Sequence, residues 1–240
     1  GADGIILALL SEDADMRMRM FNADGSESEM CGNGIRCLVG FALSRGIVPA
    51  DNPVVVVETK AGQRRVTPRW NDGRIVWASV EMGEPVFEAS RIPVNAPGLD
   101  IVMDYPLQVD GHTFEISCVS MGNPHAVAFM DEPVDEVRLQ DFGPLVQNHP
   151  MFPESVNFEI ANVLDAGNIK ARVFERGSGI TMACGTGACA VGVVGRMKRL
   201  TGDEVNVSLP GGDLIVGWPG NGEVVLEGPV AEVFEGEWPK

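Results

Sequence analysis

The chain has 240 residues, enough for one large domain or two modest ones, and its 45% of apolar residues can fill a packed core. It carries 34 Asp and Glu against 18 Lys and Arg, a formal net charge of −16. A body this acidic repels phosphate backbones and anionic lipid, so we expect neither nucleic acid nor membrane as a partner. No apolar run near the start approaches the ~20 residues of a membrane-spanning helix. We therefore expect a cytoplasmic protein.

Short alternating or apolar runs bounded by Gly, Pro or Asn recur along the chain and predict strands. They cover residues 15–21, 54–58, 75–80, 114–119, 126–129, 169–174, 204–209, 213–216, 223–226 and 231–237. Their shortness favours antiparallel sheets over βαβ units.

Two helices are predicted between these strands. The first presents a core-facing stripe that ends near Gly46 and consists of Ile35, Leu38, Val39, Ala42 and Leu43. The second, over residues 188–199, is small and apolar on nearly every side, which is typical of a helix buried inside a sheet or barrel.

An internal repeat links the two helices. The segment RMFNADGSESEMCGNGIRC begins at Arg19, and RVFERGSGITMACGTGACA begins at Arg172. Five residues recur at a constant offset, namely Arg19, Phe21, Cys31, Gly32 and Gly34 with Arg172, Phe174, Cys184, Gly185 and Gly187. The repeat predicts two pseudo-equivalent halves, each with a cysteine where a glycine turn opens into a helix.

The cysteines fit neither a disulfide framework nor a metal site. There are five, an odd number, at positions Cys31, Cys37, Cys118, Cys184 and Cys189. None has C-x-x-C spacing and the chain has only three histidines, so we predict no zinc site. Reduced thiols are expected.

Cys31 and Cys184 are the candidates for chemistry. A helix N-terminus exposes unpaired N–H groups and carries roughly +0.5 of a charge, so a thiol there should ionise below its usual pKa of ~8.5. Two such turns facing one ligand could invert a stereocentre, with one thiolate removing the α-proton and one thiol returning a proton on the opposite face. A pyridoxal enzyme would need a Schiff-base lysine, and no lysine stands in a distinctive setting.

Two other interpretations stay open at this point. Cysteines in glycine turns are often small, inert, buried residues, and Cys37, Cys118 and Cys189 are assigned that role. Two thiols that lie on opposite sides of one substrate carbon could also form a disulfide with each other, which would make the protein a thiol-redox or redox-sensing protein.

The sequence resembles the diaminopimelate epimerase family. Matching motifs occur in the family's order over almost the whole chain: FNADGSESEMCGNGIRC, SMGNPHAV, SVNFEIANV, ERGSGITMACGTGACA and LPGGDLIV. Racemases of the proline racemase type also use two cysteines as acid and base, so they are an alternative family for this chain. Their first cysteine motif differs, however, and they lack the flanking NADGS and ERGxG motifs.

The resemblance implies an α+β fold of two pseudo-symmetric domains, each a curved, mostly antiparallel sheet or barrel around a central helix. It implies cofactor-independent interconversion of LL- and meso-2,6-diaminopimelate for lysine and peptidoglycan synthesis. The implied partner is this small-molecule substrate, and a homodimer is left open. Repeat and resemblance together predict a first domain over residues 1–85 plus 231–240 and a second over residues 86–230.

The resemblance also implies roles for single residues. Cys31 and Cys184 would be the acid/base thiols. Backbone N–H groups for the reacting carboxylate would come from Gly32, Asn33, Gly185 and Thr186. The distal amino-acid end of the substrate would be bound by Asn22, Asn157 and Arg176, of which the arginine can grip a carboxylate bidentately. The substrate ammonium and carboxylate would be surrounded by Asn123, His125 and Glu175.

Three departures from the family pattern matter. Members usually open with a strand and an H-G-x-G-N-D-F motif whose asparagine contacts substrate, and this sequence begins downstream of it. Gly4 stands where some members carry glutamine, and Ile180 replaces a glutamate common in E-R-G-x-G-E-T. These departures keep a further hypothesis open, a catalytically silent binding protein.

Overall fold

A computed structural model describes residues 4–22, 25–28 and 30–237. The chain forms two units, the first comprising Gly1–Glu81 and Glu227–Lys240 and the second Met82–Leu226. No helix in the described part is long and apolar enough to cross a membrane.

The first unit is a sheet with one helix. Its elements are β1 (Gly4–Leu9), β2 (Met16–Asn22), β3 (Glu27–Ser28), α1 (Gly32–Ser44), β4 (Val55–Thr59), β5 (Gly62–Asn71) and β6 (Arg74–Glu81). The strand order is β1-β2-β4-β5-β6, with β3 paired to β2. All pairs are antiparallel except β2 with β4. Alternation gives the sheet one apolar face, as in β4, where Val55 and Val57 are fully buried.

Helix α1 covers that apolar face. It packs against β1, β5 and β6. The predicted stripe is confirmed, since each of its members is 5% exposed or less: Ile35, Leu38, Val39, Ala42 and Leu43. Periodic burial of one helix face is therefore what fixes α1 on the sheet.

The second unit holds a longer sheet and two helices. After a short 3-10 helix (Ala89–Arg91), its elements are β7 (Tyr105–Val109), β8 (His112–Ser120), β9 (Pro124–Phe129), α2 (Leu139–Gln147), β10 (Asn157–Asp165), β11 (Asn168–Glu175), β12 (Gly179–Thr181), α3 (Gly185–Met197), β13 (Glu204–Leu209) and β14 (Gly212–Gly217). Strand β15 (Val225–Pro229) spans the division between the units.

Two parallel pairs interrupt an otherwise antiparallel sheet in the second unit. Its order is β7-β8-β9-β10-β11-β13-β14, with β12 paired to β11. Strands β9 and β10 run parallel, as do β11 and β13. Helix α3 packs against β8, β9, β10, β11, β13 and β14, and ten of its thirteen residues are buried, so the prediction of a helix enclosed by sheet is confirmed.

Each unit contains the same succession of elements. A strand (β2, β11) turns back through a short antiparallel partner (β3, β12), and a cysteine then caps a helix of 13 residues (α1, α3). A strand parallel to the first follows (β4, β13), and a hairpin partner comes next (β5, β14). The sequence repeat therefore corresponds to a repeated structural unit.

Two sequence predictions need correction. Residues 231–237 form no strand, and Val233 and Phe234 are largely exposed. The Val230 N–H donates to Val76 O, two residues from the start of β6 at Arg74, so a strand that continued to residue 237 would extend past the end of β6. Helix α3 also begins at Gly185, three residues before the predicted start, because the glycine turn itself forms its first turn.

The packing of α2 on β11 leaves no room for a side chain at Gly143. A Cβ at this position would lie 2.3–2.8 Å from three ring atoms of Phe174. We expect Gly143→Ala to lower the free energy of unfolding by about 1–3 kcal/mol, because overpacking forces the ring or the helix to shift. Chemical denaturation measures this difference. The matched control is Gln140→Ala on the exposed face of α2, expected within about 0.5 kcal/mol of wild type. A Gly143→Ala protein as stable as wild type would contradict the close packing.

Candidate active site

Cys31 is the N-cap of α1. Its backbone is extended (φ −134°, ψ 116°), which turns the side chain back so that the Gly34 N–H donates to Cys31 Sγ at 3.3 Å. A Cβ on Gly34 would lie 3.5 Å from that sulfur and 2.3 Å from Ile6 Cδ1. A side chain at position 34 would therefore require the end of the Ile6 side chain to shift, whereas its distance to the sulfur is an ordinary contact.

Cys184 caps α3 in the same way. Its φ of −122° and ψ of 116° again direct the thiol at the helix, and the Gly187 N–H donates to Cys184 Sγ at 3.3 Å. The Thr186 hydroxyl lies 3.4 Å from the same sulfur. A Cβ on Gly187 would come within 3.0 Å of Glu159 Oε1.

The two turns share an anion-binding character. Neither helix has an acidic residue in its first turn, so no side chain of that turn offsets the partial positive charge of the helix N-terminus. The N–H groups that follow each cysteine are among those that a helix leaves without an intrahelical partner. A carboxylate could approach either turn closely, as the repeated C-G-x-G motif predicts.

Burial determines the protonation state of Cys184. Desolvation raises the pKa of its thiol well above the ordinary value, and nearby Glu175 and Glu159 add to the rise, while hydrogen bonds from Thr186 and Gly187 oppose it. The expectation of a thiol that ionises easily is therefore wrong for Cys184. The helix N-terminus was evident from the sequence, but the 6% exposure of the residue was not. The raised pKa favours the thiol form of Cys184 at neutral pH.

The other sequence-predicted residues of the first unit lie at two turns. Asn22 ends β2, where its side-chain amide donates to Ser26 Oγ at 3.0 Å. Gly32 and Asn33 open α1, and the Asn33 Oδ1 accepts from Arg36 Nη2 at 3.2 Å. Arg36 also donates to the Gly32 carbonyl at 3.1 Å, so this buried cation is hydrogen-bonded to two residues of the first turn of α1, next to Cys31.

In the second unit a chain of side-chain hydrogen bonds reaches Cys184. The Nε2 atom of His125 lies 2.9 Å from Asn123 Oδ1. The Asn123 amide donates to Thr186 Oγ1 at 3.3 Å, and Thr186 contacts the sulfur of Cys184. The structure therefore brings together four of the predicted residues, two at the β8–β9 turn and the start of β9 and two at the start of α3.

Asn157 and Arg176 lie beside this network. Asn157 is register-paired with His125 across β9 and β10 and is 3% exposed. Its amide donates to Pro124 O at 3.0 Å and accepts from the Arg176 N–H at 2.8 Å, so both ends contact backbone. The Arg176 side chain is exposed and donates to Glu154 O at 3.2 Å.

Glu175 and Gly185 complete the predicted set. Glu175 ends β11 and accepts a hydrogen bond from the Thr181 hydroxyl of β12. Gly185 is the first residue of α3 and is buried. The β11–β12 hairpin therefore holds the Glu175 carboxylate in the unit that contains Cys184.

One residue in this region was not singled out from the sequence. Glu159, in β10, is 1% exposed, and its Oε1 lies 2.7 Å from His125 Nδ1. The signal available was a single acidic residue inside the apolar run NFEIA, on the buried side of a strand.

The described residues offer no metal centre of protein side chains, because no three or more His, Cys, Asp or Glu come together in a way that could hold an ion. Throughout the described ranges the five cysteines form no disulfide.

Comparison with known proteins identifies the relatives of this chain. A family model described as diaminopimelate epimerase matches residues 1–88 and 117–233. The diaminopimelate epimerase of Pelotomaculum thermopropionicum is 48% identical over 100% of this chain and 84% of its own length. That of Acetivibrio thermocellus is 45% identical over 99% and 84%. Among solved structures, a hydroxyproline epimerase from Agrobacterium vitis superimposes with a TM-score of 0.72 at 17% identity over 98% of this chain and 75% of its own, a similarity of fold.

Proposed function

The chain belongs to the diaminopimelate epimerase family, and we propose that it interconverts LL- and meso-2,6-diaminopimelate without a cofactor. The observation that carries the proposal is the repeated cysteine cap. Cys31 and Cys184 each occupy the N-cap of a 13-residue helix, and each accepts an N–H hydrogen bond at 3.3 Å from the glycine three residues on.

In this proposal the two thiols alternate between base and acid. One thiolate removes the α-proton of the substrate and becomes a thiol. The other thiol delivers its proton to the opposite face of the same carbon and becomes a thiolate. The raised pKa of Cys184 supports its starting as the proton donor. Reversal of the reaction exchanges the roles, so no net acid or base is consumed.

The helix N-termini would replace the electron sink of a cofactor. Removing an α-proton increases the negative charge on the substrate carboxylate, and N–H groups already fixed in place stabilise that charge without reorganisation. Backbone N–H groups at Gly32 and Asn33 of α1 and at Gly185 and Thr186 of α3 are the proposed donors.

The remaining predicted residues are proposed to position the substrate. Asn123 and Glu175 lie in the unit of Cys184 and would orient the reacting amino acid, with His125 acting through Asn123 because it is 0% exposed. The exposed guanidinium of Arg176 would bind the distal carboxylate, aided by Asn22 and by Asn157, which fixes the Arg176 backbone.

We also propose a cytoplasmic location, supported by the thiols that the mechanism needs in reduced form. A homodimer remains an expectation from the resemblance, and sedimentation analysis of the reduced chain decides it.

Stereochemical analysis tests the proposed function. The purified, reduced chain is incubated with LL-diaminopimelate, and the isomers are separated after chiral derivatisation. We expect the meso isomer to form without pyridoxal phosphate and in the presence of a chelator. The same sample should turn over neither a disulfide substrate nor peroxide. A folded, reduced chain that forms no meso isomer would be a silent binding protein, and turnover of the disulfide would favour the thiol-redox alternative.

A further inference from the structure

A carboxyl and an imidazole are buried together near Cys184. Glu159 on β10 is 1% exposed, His125 on β9 is 0% exposed, and Glu159 Oε1 lies 2.7 Å from His125 Nδ1. Register pairs Asn157 with His125 across the parallel strands, so Glu159 is the next residue along β10 on the same face. A buried pair of this kind, close to a thiol, needs a reason beyond packing.

The hydrogen-bond partners fix the direction of each bond. His125 Nε2 faces the carbonyl oxygen of Asn123, an acceptor only, so Nε2 carries a hydrogen. The opposite nitrogen, Nδ1, then accepts from Glu159 when the carboxyl is protonated. Burial raises the pKa of Glu159, which favours that form. Among described groups none hydrogen-bonds to Glu159 Oε2, a situation that a neutral acid tolerates better than a carboxylate.

The hydrogen bonds that lead from His125 to the sulfur of Cys184 can be oriented in the same way. The Asn123 carbonyl accepts from the ring, so its amide points at Thr186 and donates to Oγ1 at 3.3 Å. The threonine hydroxyl, having accepted from the amide, has its own proton to donate to Cys184 Sγ, 3.4 Å away, and it must donate when that sulfur is a thiolate. With Glu159 protonated and Cys184 ionised, every link from Glu159 onward donates toward the sulfur, to which the Gly187 N–H also donates at 3.3 Å.

The corresponding position in the other unit is apolar. The offset that matches Cys31 to Cys184 places Ile6 at the position of Glu159. The structure agrees, because a Cβ on Gly34 would meet the Ile6 side chain as one on Gly187 would meet Glu159. The buried carboxyl is therefore a feature of the Cys184 unit that the repeat does not duplicate at this position.

We propose that Glu159 is a positioning residue for Cys184. As a neutral acid it donates to His125 and fixes the orientation of the imidazole. The ring in turn orients the Asn123 amide, which leaves the Thr186 hydroxyl to donate to the sulfur and so stabilises the thiolate form of Cys184. The inference rests on the proposed function only in assigning Cys184 an acid/base role. Glu159 is 1% exposed, and the proposal assigns it no contact with the substrate.

Four titratable groups lie around Glu159 and can affect the pH dependence of Cys184 reactivity. They are His125 on β9, Cys118 on β8, Glu175 on β11 and Cys184 before α3. Burial raises the pKa of Cys118 to about 12, so that thiol stays protonated throughout the working range. The charge of Glu175 opposes ionisation of both Glu159 and Cys184, and a charge on Glu159 would also oppose ionisation of Cys184, whereas the hydrogen bond from Thr186 favours the Cys184 thiolate. The proposal therefore requires the neutral form of Glu159.

Two substitutions distinguish the effect of the Glu159 hydrogen bond from the effect of its packing. Glu159→Gln keeps an N–H donor for His125 Nδ1, whereas Glu159→Leu fills the site and removes the donor. The full chain is alkylated with iodoacetamide across a pH range, and mass spectrometry of the Cys184 peptide gives the apparent pKa of that thiol.

We expect Glu159→Gln to stay within about threefold of wild-type kcat, with an unchanged pH profile of Cys184 alkylation. Glu159→Leu should raise the apparent pKa of Cys184 by about one unit, the equivalent of one lost hydrogen bond, and lower kcat about tenfold with little change in KM.

Ile160→Ala is the matched control. Ile160 is the adjacent buried residue of β10 and belongs to the hydrophobic core on the other face, so its loss should lower stability without moving the Cys184 profile. An unchanged profile in Glu159→Leu would overturn the proposal, as would equal damage from Glu159→Gln, which would indicate an essential carboxylate. The profile is read without turnover: a shift in Glu159→Leu supports the proposal even if the wild-type chain fails to epimerise, a failure that would count against the proposed function alone.

Discussion

Cys31→Ala and Cys184→Ala are each expected to lower kcat for epimerisation by about 10³-fold or more. Each direction of the reaction needs one thiolate to take the α-proton and one thiol to return a proton on the other face, so either loss stops inversion. The magnitude follows from the 10²–10⁴-fold that a positioned acid or base contributes to a proton transfer. Conversion of LL-diaminopimelate to the meso isomer, followed for each purified variant, measures the loss.

Cys37→Ala provides the control for these variants. Cys37 lies on the same helix as Cys31 but is exposed. Its removal should leave kcat at the wild-type value, and circular dichroism should show that all three variants remain folded. If either Cys31→Ala or Cys184→Ala epimerised at a rate near wild type, the assignment of two thiol acid/base groups would be wrong.

Arg176→Met is expected to lower kcat/KM by about 10²-fold, chiefly through a higher KM. A guanidinium that grips a carboxylate through two hydrogen bonds gives both affinity and orientation, and truncating one partner of such a pair typically costs about 2–5 kcal/mol. Arg176→Lys should recover only part of the loss, because an ammonium cannot reproduce the fork. Steady-state kinetics in both directions gives the two parameters.

The control for Arg176 is another exposed arginine of the same unit. Arg138 forms a surface ion pair with Asp141 on α2, and Arg138→Met should leave both kinetic parameters unchanged. An Arg176→Met variant with wild-type KM would show that the distal carboxylate is not bound by this side chain.

Local sequence signals were sufficient for the two capped helices. In α1 the apolar stripe repeats at helical spacing, and in α3 the small apolar residues exclude a solvent-facing side. Both cysteines lie at the N-caps because each precedes a glycine turn. These features depend on residues within a few positions of one another, which is why a single sequence reveals them.

Elements held by distant contacts were not predicted. Helix α2 contains Pro144, a helix breaker by local criteria, yet Phe142 secures it by packing edge-on against Phe114 of β8. Strand β5 carries mostly exposed polar residues and Pro68, so it shows little alternation, and its pairing with β4 and β6 defines it. In both cases tertiary structure overrides propensity.

The chemistry around Cys184 was beyond the sequence for the same reason. A helix N-terminus can be predicted from its motif, but the burial that raises the pKa of the thiol comes from the sheet around α3. Glu159 is separated by 34 residues from His125 and becomes its partner only through the parallel pairing of β9 and β10.

Proton exchange with solvent tests the two-thiol account most directly. The reduced chain is incubated with LL-diaminopimelate in heavy water, and NMR follows α-deuterium in the substrate and product pools during the first turnovers. Two thiols on opposite faces predict meso product that carries α-deuterium while the recovered LL isomer still carries hydrogen. Deuterium that enters both isomers equally from the start would indicate a single base and would contradict the account, as would meso product formed without deuterium.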